Sequence, residues 1–591
     1  MGGCLRSESK KSPADETIRP FDRSFSPGGE TFAYIGHGSI GGKAQGLVDI
    51  KDALTELNSR HAPDVSVYIP SLTVIATGYF DDFLKQNDLY EIAFSDLRDD
   101  QIARSFQRAE LPPQLTGDLR ALISRIHYPL AIRSSSLLED AMFEPFAGVY
   151  ATKMIPNNQH DPDIRFRKLV EAVKYVYAST FFADAKEYTA VAKHKMTDEK
   201  MAVIIQEVVG GEVNNRFYPQ ISGVLRSYNF YPAGHAKPED GVVELALGLG
   251  RTIVDEGVAW SFSPAQPQAN PPYNSLADLL KQSQNEFWAI HMGTPLPYDP
   301  IKETEHMLKH SISEAEEDGN LKLLASTYAP QDDRIRMGIG TPGPRIVDFA
   351  SILKLNAIPL NDVLKDLLEV CEEKLDGMAE IEFAVTLDSE RGLPAGLGFL
   401  QVRPMVVSQK KVDVSLAELS SENAVVASES VLGNGDIHTI SDIVYIKPDS
   451  FEIAHTVRIA KELEQLNHQL VGAKHPYVLL GFGRWGTSDP QAGIPVNFGQ
   501  ISGAKVIVEA TLPDMNMMLS QGSHFFHNIT SFQVCYFSVA CPGKYEIKWE
   551  WLDQQQVLKE TEFCRHVRTD KPIHIKVDGL TGRGVICHER G

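Results

Sequence analysis

Long apolar runs are missing from this sequence. No window of its 591 residues approaches the roughly 18 consecutive apolar side chains that a bilayer-spanning helix needs, which excludes such a span. Cysteine is scarce as well. Cys4, Cys371, Cys535, Cys541, Cys564 and Cys587 form no CxxC pair and no dense framework, so structural zinc is not expected from them and a reducing, cytoplasmic setting is. Positive charge is in deficit: 57 Lys+Arg stand against 78 Asp+Glu, a formal charge of −21. A chain built to coat nucleic acid would need a surplus of cations on its binding face, so that class is excluded, and any anion bound here must meet a local positive cluster. The start, Met1-Gly2-Gly3-Cys4-Leu5-Arg6, has no apolar stretch for a signal peptide, and Arg6 stands where a myristoylation site would place Ser or Thr. Residues 1–30, rich in Ser, Lys, Glu and Pro, read as a mobile tail.

What is present is the composition of a globular protein, 43% hydrophobic and 23% charged, at a length that calls for more than one domain. Residues 31–205 alternate helical and strand-like runs: Ile69 to Ile75 reads as a strand, and Leu169, Ala172, Val173 and Val176 recur at helical spacing. Residues 206–410 hold apolar strands at Val242 to Leu247, Ile381 to Val385 and Gly398 to Val402, around a Pro- and Asn-rich insertion near 263–274. Residues 411–591 open on the β-rich Ile443-Val444-Tyr445-Ile446 and carry one amphipathic helix through Ile459, Leu463, Leu466 and Leu470. They end in strands separated by Gly-rich turns. No repeat of solenoid length is visible.

Three elements carry phosphate chemistry. Gly41-Gly42-Lys43 lies between a Gly-His-Gly-Ser run and a helical Ala44-Gln45-Gly46-Leu47-Val48, so amides and an ammonium converge at a helix start, where anions are favoured. It departs from the P-loop pattern, and a glycine-rich turn with a solvent-exposed Lys reads equally from the same residues. Leu130-Ala131-Ile132-Arg133-Ser134-Ser135-Ser136 is a short strand ending in an Arg and three hydroxyls, followed by Glu139-Asp140 and Pro145-Phe146-Ala147-Gly148. A guanidinium at a strand end can fork two phosphate oxygens, as it can also cap a surface turn. In Glu380-Ile381-Glu382 two carboxylates share one face of a strand, a pairing suited to Mg²⁺ bridging nucleotide phosphates, and Gln401 and Arg403 lie on one face of a strand that can sit beside it.

In this order the pieces resemble the nucleotide-binding half of the phosphoenolpyruvate synthase and pyruvate, phosphate dikinase family, a half also found in rifampin phosphotransferase. The resemblance covers roughly residues 31–410. It runs through Gly41-Gly42-Lys43, the Ile69-Pro70-Ser71-Leu72 strand, Arg133 to Ser136, Gln206-Glu207-Val208-Val209, Ser222-Gly223-Val224, Leu247-Gly248-Leu249-Gly250, and Glu380-Ile381-Glu382 with Leu400-Gln401-Val402-Arg403-Pro404. Each motif alone is weak; their joint order carries the likeness. It implies an α+β fold, a two-lobed ATP-grasp domain (lobes 31–205 and 206–410) followed by a smaller C-terminal α+β domain (411–591). It also implies ATP and Mg²⁺ as cofactors, with Lys43 and Arg133 on the phosphates as catalytic cations, Gln206, Glu207 and Val208 as the hinge beside adenine, Glu380, Glu382 and Gln401 as metal ligands, and Arg403 on the phosphates from the second lobe.

In that family ATP is split to AMP and phosphate, and the β-phosphate is parked on a histidine of a swivelling domain before transfer to an acceptor. The phosphoenolpyruvate-forming barrel takes roughly 250 residues, more than follow residue 410. The chain therefore does not contain the whole synthase, and the acceptor is unidentified. The family's Gly-Gly-x-Thr-Ser-His loop has a partial likeness in Ser520-Gln521-Gly522-Ser523-His524, and Ile575 to Gly579 resembles the closing strand of the swivelling domain, so 411–591 reads as a degenerate phosphohistidine domain with His524 as candidate nucleophile. Phe525 and Phe526 beside it fit a packed structural histidine equally. Gly481-Phe482-Gly483-Arg484-Trp485-Gly486 spells a dinucleotide fingerprint, but Thr487-Ser488-Asp489-Pro490 begins no helix, so it is expected to be a loop of the C-terminal domain. The readings are then a dikinase-type phosphotransferase or, in a different class, a nucleotide-binding regulatory module acting on a partner protein.

Overall fold

The computed structural model describes residues 18–25, 32–61, 64–136, 149–191, 196–229, 236–254, 258–269, 276–281, 283–387, 394–405, 412–487, 493–497, 499–513, 534–579 and 581–588. His524, Glu139, Asp140 and Pro145 to Gly148 lie outside them. Among the described residues no helix is long and apolar enough to cross a membrane.

The body is α+β. Its N-terminal part uses β1 (Phe32–Ile35), α1 (Gly42–His61), β2 (Val65–Tyr68), β3 (Leu72–Ile75), β4 (Leu130–Ser136), β5 (Thr152–Ile155), α2 (Pro162–Ser179) and β6 (Met201–Glu207). β7 (Ile221–Arg226), β8 (Val242–Ala246), β9 (Trp260–Phe262), α3 (Leu360–Leu375), β10 (Ala379–Thr386) and β11 (Ala395–Pro404) follow. The first sheet runs β1-β3-β6-β4-β5, with the short strand Arg19–Pro20 at its edge; the second runs β9-β8-β7-β10-β11-β2. The expected division at 205/206 falls inside β6, which pairs with both β3 and β4, so the chain leaves the first sheet only after Glu207. An early strand is also lent to the second sheet: β2 pairs in parallel with β11.

Local chemistry fixes these elements. α1 buries Leu47, Ile50, Leu54 and Leu57 at helical spacing, and its core is continuous with Leu364 and Leu367 of α3 and with Val402 of β11. α2 starts where Asp161 caps the backbone N–H of Asp163 at 2.8 Å and Pro162 occupies a first-turn position needing no N–H bond. It then buries Leu169, Ala172, Val173 and Val176 against the first sheet, the residues whose spacing predicted it.

The C-terminal part has β12 (Ala424–Ser428), β13 (Val431–Leu432), β14 (Asn434–Ile446), α4 (Thr456–Gly472), β15 (Tyr477–Phe482), β16 (Ala504–Ala510), β17 (Cys535–Val539), β18 (Gln556–Glu560), β19 (Cys564–Asp578) and β20 (Arg583–Cys587). Their order is β12-β20-β19-β14-β15-β16-β17-β13, with β18 added on β19. The consecutive strands β12 and β13 thus occupy opposite ends of the sheet. Ser428 Oγ donates to Ser538 O at 2.5 Å and Ser538 N donates to Ser430 O at 2.9 Å, so the two ends of the sheet approach each other. α4 lays Ile459, Leu463, Leu466 and Leu470 on one side of it. The expected loop at Gly481 to Gly486 is instead the end of β15 followed by a two-residue strand, Arg484–Trp485, which pairs in parallel with Gly493–Ile494; Trp485 is fully buried, and no helix starts beside the segment among the described residues.

Candidate functional site

The expected strand-end guanidinium lies instead in the middle of a strand, since Arg133 is the central residue of β4, while Lys43 stands in the first turn of α1 beside that strand's end. At Gly41 the backbone takes φ +78°, and a Cβ there would stand 1.7 Å from Ser135 O, so glycine is required by both conformation and contact. This close approach is stapled: Ser135 Oγ accepts from Ala44 N at 3.1 Å and donates to Ile40 O at 2.9 Å. The start of α1 is thereby pinned to the end of β4, and Lys43 in its first turn reaches Ser134 Oγ at 3.2 Å. Arg133, two residues from Ala131 on β4, shares the face on which Gln206 of β6 stands opposite Ala131.

The second sheet supplies a charge ladder. Register places Arg226, Glu380 and Arg403 on one rung across β7, β10 and β11, and Val224, Glu382 and Gln401 on the next. Glu380 is almost wholly buried. One of its oxygens accepts from Arg403 Nε at 2.7 Å and from Arg403 Nη2, the other from Arg226 Nε at 2.6 Å, and Arg226 Nη1 goes on to Glu244 at 2.7 Å. Burial works against the charge of Arg226, but Glu244 and Glu380 outweigh it and hold the guanidinium above its ordinary range.

The two sheets meet through Arg133. Its Nη1 donates to Gln206 Oε1 at 3.2 Å and to Leu400 O at 2.9 Å; its Nη2 donates to Glu382 at 3.2 Å and to Gln401 Oε1 at 2.8 Å. All four terminal N–H groups of the guanidinium thus have protein acceptors. Between the sheets lies a cleft of about 260 Å³. Lys43, Arg133, Gln206, Glu207, Val208, Glu382, Gln401 and Arg403 all line it, so nine of the ten expected site residues, with Glu380 directly behind Arg403, gather in one place.

The hinge is more closed than its motif implies. Glu207 N donates to Ser71 O at 2.9 Å and Val208 N to Pro129 O at 3.0 Å, so at these two positions a ligand meets carbonyls and side chains rather than amides. Burial pushes the Glu207 carboxyl up from its ordinary range, opposed by a backbone hydrogen bond from Ser71. Gln206 is almost wholly buried, and its Nε2 has no hydrogen-bond partner among the described residues. A buried amide donor left so costs about 1–3 kcal/mol, and it lines the cleft where an acceptor from a ligand would relieve it.

Sequence reasoning missed three contributors. Arg226 holds Glu380 from the neighbouring β7 and is itself held by Glu244 of β8, and neither carries a motif of its own. Glu303 sits in the segment joining strands Glu286–His291 and Met307–Ser311; it accepts from Thr152 N at 2.9 Å and from Arg251 Nη1 at 3.2 Å, and all three residues line the cleft. The same segment is anchored on the first sheet by Lys153, whose ammonium is buried against Glu305 at 2.7 Å and Pro300 O at 2.7 Å. Nothing in local spacing announces a partner about 150 residues away.

No curated protein sequence gives a significant match to the chain. A family model does: residues 37–424, more than half the chain, match the one described as pyruvate phosphate dikinase, AMP/ATP-binding domain. The chain therefore belongs to that family, and its two-sheet body is an ATP-grasp-type AMP/ATP-binding domain.

Proposed function

We propose that the protein is an ATP-dependent phosphotransferase of the dikinase type, which with Mg²⁺ splits ATP to AMP, releases the γ-phosphoryl to water as phosphate, and passes the β-phosphoryl to a histidine or to a further acceptor. The observation that carries this reading is the meeting, on one cleft wall to the other, of Lys43 and Arg133 from the first sheet with Glu382, Gln401 and Arg403 from the second. Adenine would lie beside Gln206, Glu207 and Val208, where the orphaned Gln206 Nε2 finds an acceptor. The phosphates would face Lys43 and Arg403, and their oxygens would compete with Glu382 and Gln401 for Arg133 Nη2.

The donor set fits Mg²⁺ at Glu382 and Gln401, whose hard oxygens already converge on a single guanidinium nitrogen. Bound there, the ion would neutralise phosphate charge and orient the transferred group. Glu380, with both oxygens engaged by arginines, serves better to fix Arg403 than to take a metal. Catalysis by the chain itself is then electrostatic: Lys43, Arg133 and Arg403 spread the charge developing on the phosphoryl group, while the segment carrying Glu303 helps to exclude water. His524 is the proposed nucleophile, within a C-terminal domain that takes the swivelling part.

Incubation with Mg²⁺ and ATP labelled separately at the β and γ positions tests the reading. Acid-labile, alkali-stable label from the β position on the chain, with release of AMP, is expected, and His524→Ala and Lys43→Ala should abolish it. ATP bound at saturation with neither label nor AMP would overturn the phosphotransferase reading in favour of a nucleotide-binding regulatory module acting on a partner protein. Label that survives His524→Ala would move the acceptor elsewhere.

A further inference from the structure

The C-terminal sheet carries a cluster that the nucleotide reading does not use. Asp436 and His438 alternate on β14, and His574 lies on the same face of the adjacent β19, next to Asp436's cross-strand partner Lys576. Both imidazoles turn Nε2 to one carboxylate oxygen: His574 Nε2 is 2.8 Å and His438 Nε2 2.9 Å from Asp436 Oδ1. The two rings stack with centroids 3.9 Å apart. All three potential ligand atoms lie within 4.8 Å of one another, on side chains that are exposed or half-exposed.

A surface hydrogen-bond triad would also gather histidines round a carboxylate, so the surroundings decide. Three features favour a metal. First, the β14–β19 ladder is interrupted here: pairing runs Ile437 with Ile575 and resumes at Ile440 with Ile573, so His438 and Thr439 together oppose His574. A bulge of this kind bends the strand and re-aims a side chain, and such bulges gather at functional sites. Second, the cation that register sets opposite Asp436 is directed elsewhere, since Lys576 Nζ bonds Glu418 at 2.6 Å. Third, the other carboxylate that meets histidine in this domain is built differently. Asp442 accepts from His566 at 2.7 Å but also takes Arg568 on both oxygens, at 2.9 and 2.8 Å, so a guanidinium already matches its charge. Among the described residues no arginine contacts Asp436.

We propose that Asp436, His438 and His574 form a binding site for a borderline divalent transition metal, of which Zn²⁺ is the probe, with water completing its shell. Two imidazole nitrogens and one carboxylate oxygen select such ions over Mg²⁺ and Ca²⁺, which prefer all-oxygen shells. Zn–N and Zn–O bonds of about 2.0–2.2 Å place tetrahedral ligand atoms about 3.3–3.5 Å apart, so the present 2.8 and 2.9 Å spacings need only a small spreading. The ion would clasp β14 to β19 where their ladder is broken. The site is independent of the nucleotide cleft and of the reaction proposed there.

The test is calorimetric titration of Zn²⁺ into the full chain, stripped with chelator, in a large excess of Mg²⁺ so that the oxygen-rich cleft is not the site read. One saturable equivalent is expected. His438→Ala, His574→Ala and Asp436→Asn should each weaken it by at least about tenfold, while the exposed His468→Ala on α4 should leave it unchanged. Zn²⁺ should also raise the melting temperature of the wild type and of His468→Ala but not of the three ligand variants. Absence of a saturable equivalent in the wild type, or Zn²⁺ binding by His438→Ala and His574→Ala as tight as the wild type's, overturns the proposal.

Discussion

Beside the first sheet Lys43, in the first turn of α1, reaches Ser134, and Arg133 of β4 reaches Gln206 and crosses to Glu382 and Gln401, whereas within the second sheet Glu380 stands between Arg226 and Arg403, with Glu244 behind Arg226. Charge matched in a buried ladder holds geometry, because removing one partner leaves the others uncompensated. On the reading proposed above, Lys43 and Arg133 would bind phosphate, while the ladder of the second sheet keeps Glu382 and Gln401 in register on its adjacent strands β10 and β11. Arg133 belongs to both arrangements, since it reaches across to those two residues.

If that contrast holds, the largest stability effect comes from the second sheet. Glu380→Gln leaves two buried guanidiniums without their shared carboxylate, and urea unfolding should show a loss of about 3–5 kcal/mol. Lys43→Ala separates binding from folding. Stability should change by less than about 0.5 kcal/mol, while ATP affinity falls about 10–100-fold, the worth of one charged hydrogen bond of about 1.5–3 kcal/mol. A comparable loss of stability in both variants would erase the distinction between the sheets.

The smallest effect lies at the hinge. Burial raises the Glu207 carboxyl above its ordinary range, so the folded chain holds that proton to higher pH than the unfolded chain does, and the group costs stability as pH rises through and above the window that begins at the ordinary value of 4.5. Glu207→Gln should therefore raise the melting temperature slightly at pH 7, and the gain should vanish near pH 4, where the carboxyl is protonated in both states. A gain that persists at pH 4 would assign the effect to packing instead.

Much of the cleft was legible in the sequence because strand alternation is a local rule. Glu380 with Glu382, and Gln401 with Arg403, share faces by spacing alone, and the structure sets these pairs opposite each other on adjacent strands. The helix at 456–472 announced itself through Ile459, Leu463, Leu466 and Leu470 in the same way. What local rules could not reach was membership. That β6 continues the first sheet past residue 205, that β2 joins the second, and that β12 and β13 take opposite ends of the C-terminal sheet are all settled by pairings across long stretches of chain. Arg226, Glu244 and Glu303 were missed for the same reason: each acts on a partner that is distant in sequence or on another strand.

Titration of ATP in the presence of Mg²⁺ into the wild type and into Arg133→Ala tests most directly whether one nucleotide is held between the two sheets. The wild type should bind one ATP per chain, and Arg133→Ala, with its circular dichroism unchanged, should bind at least about tenfold more weakly. No binding by the wild type, or equal binding by both proteins, would contradict it.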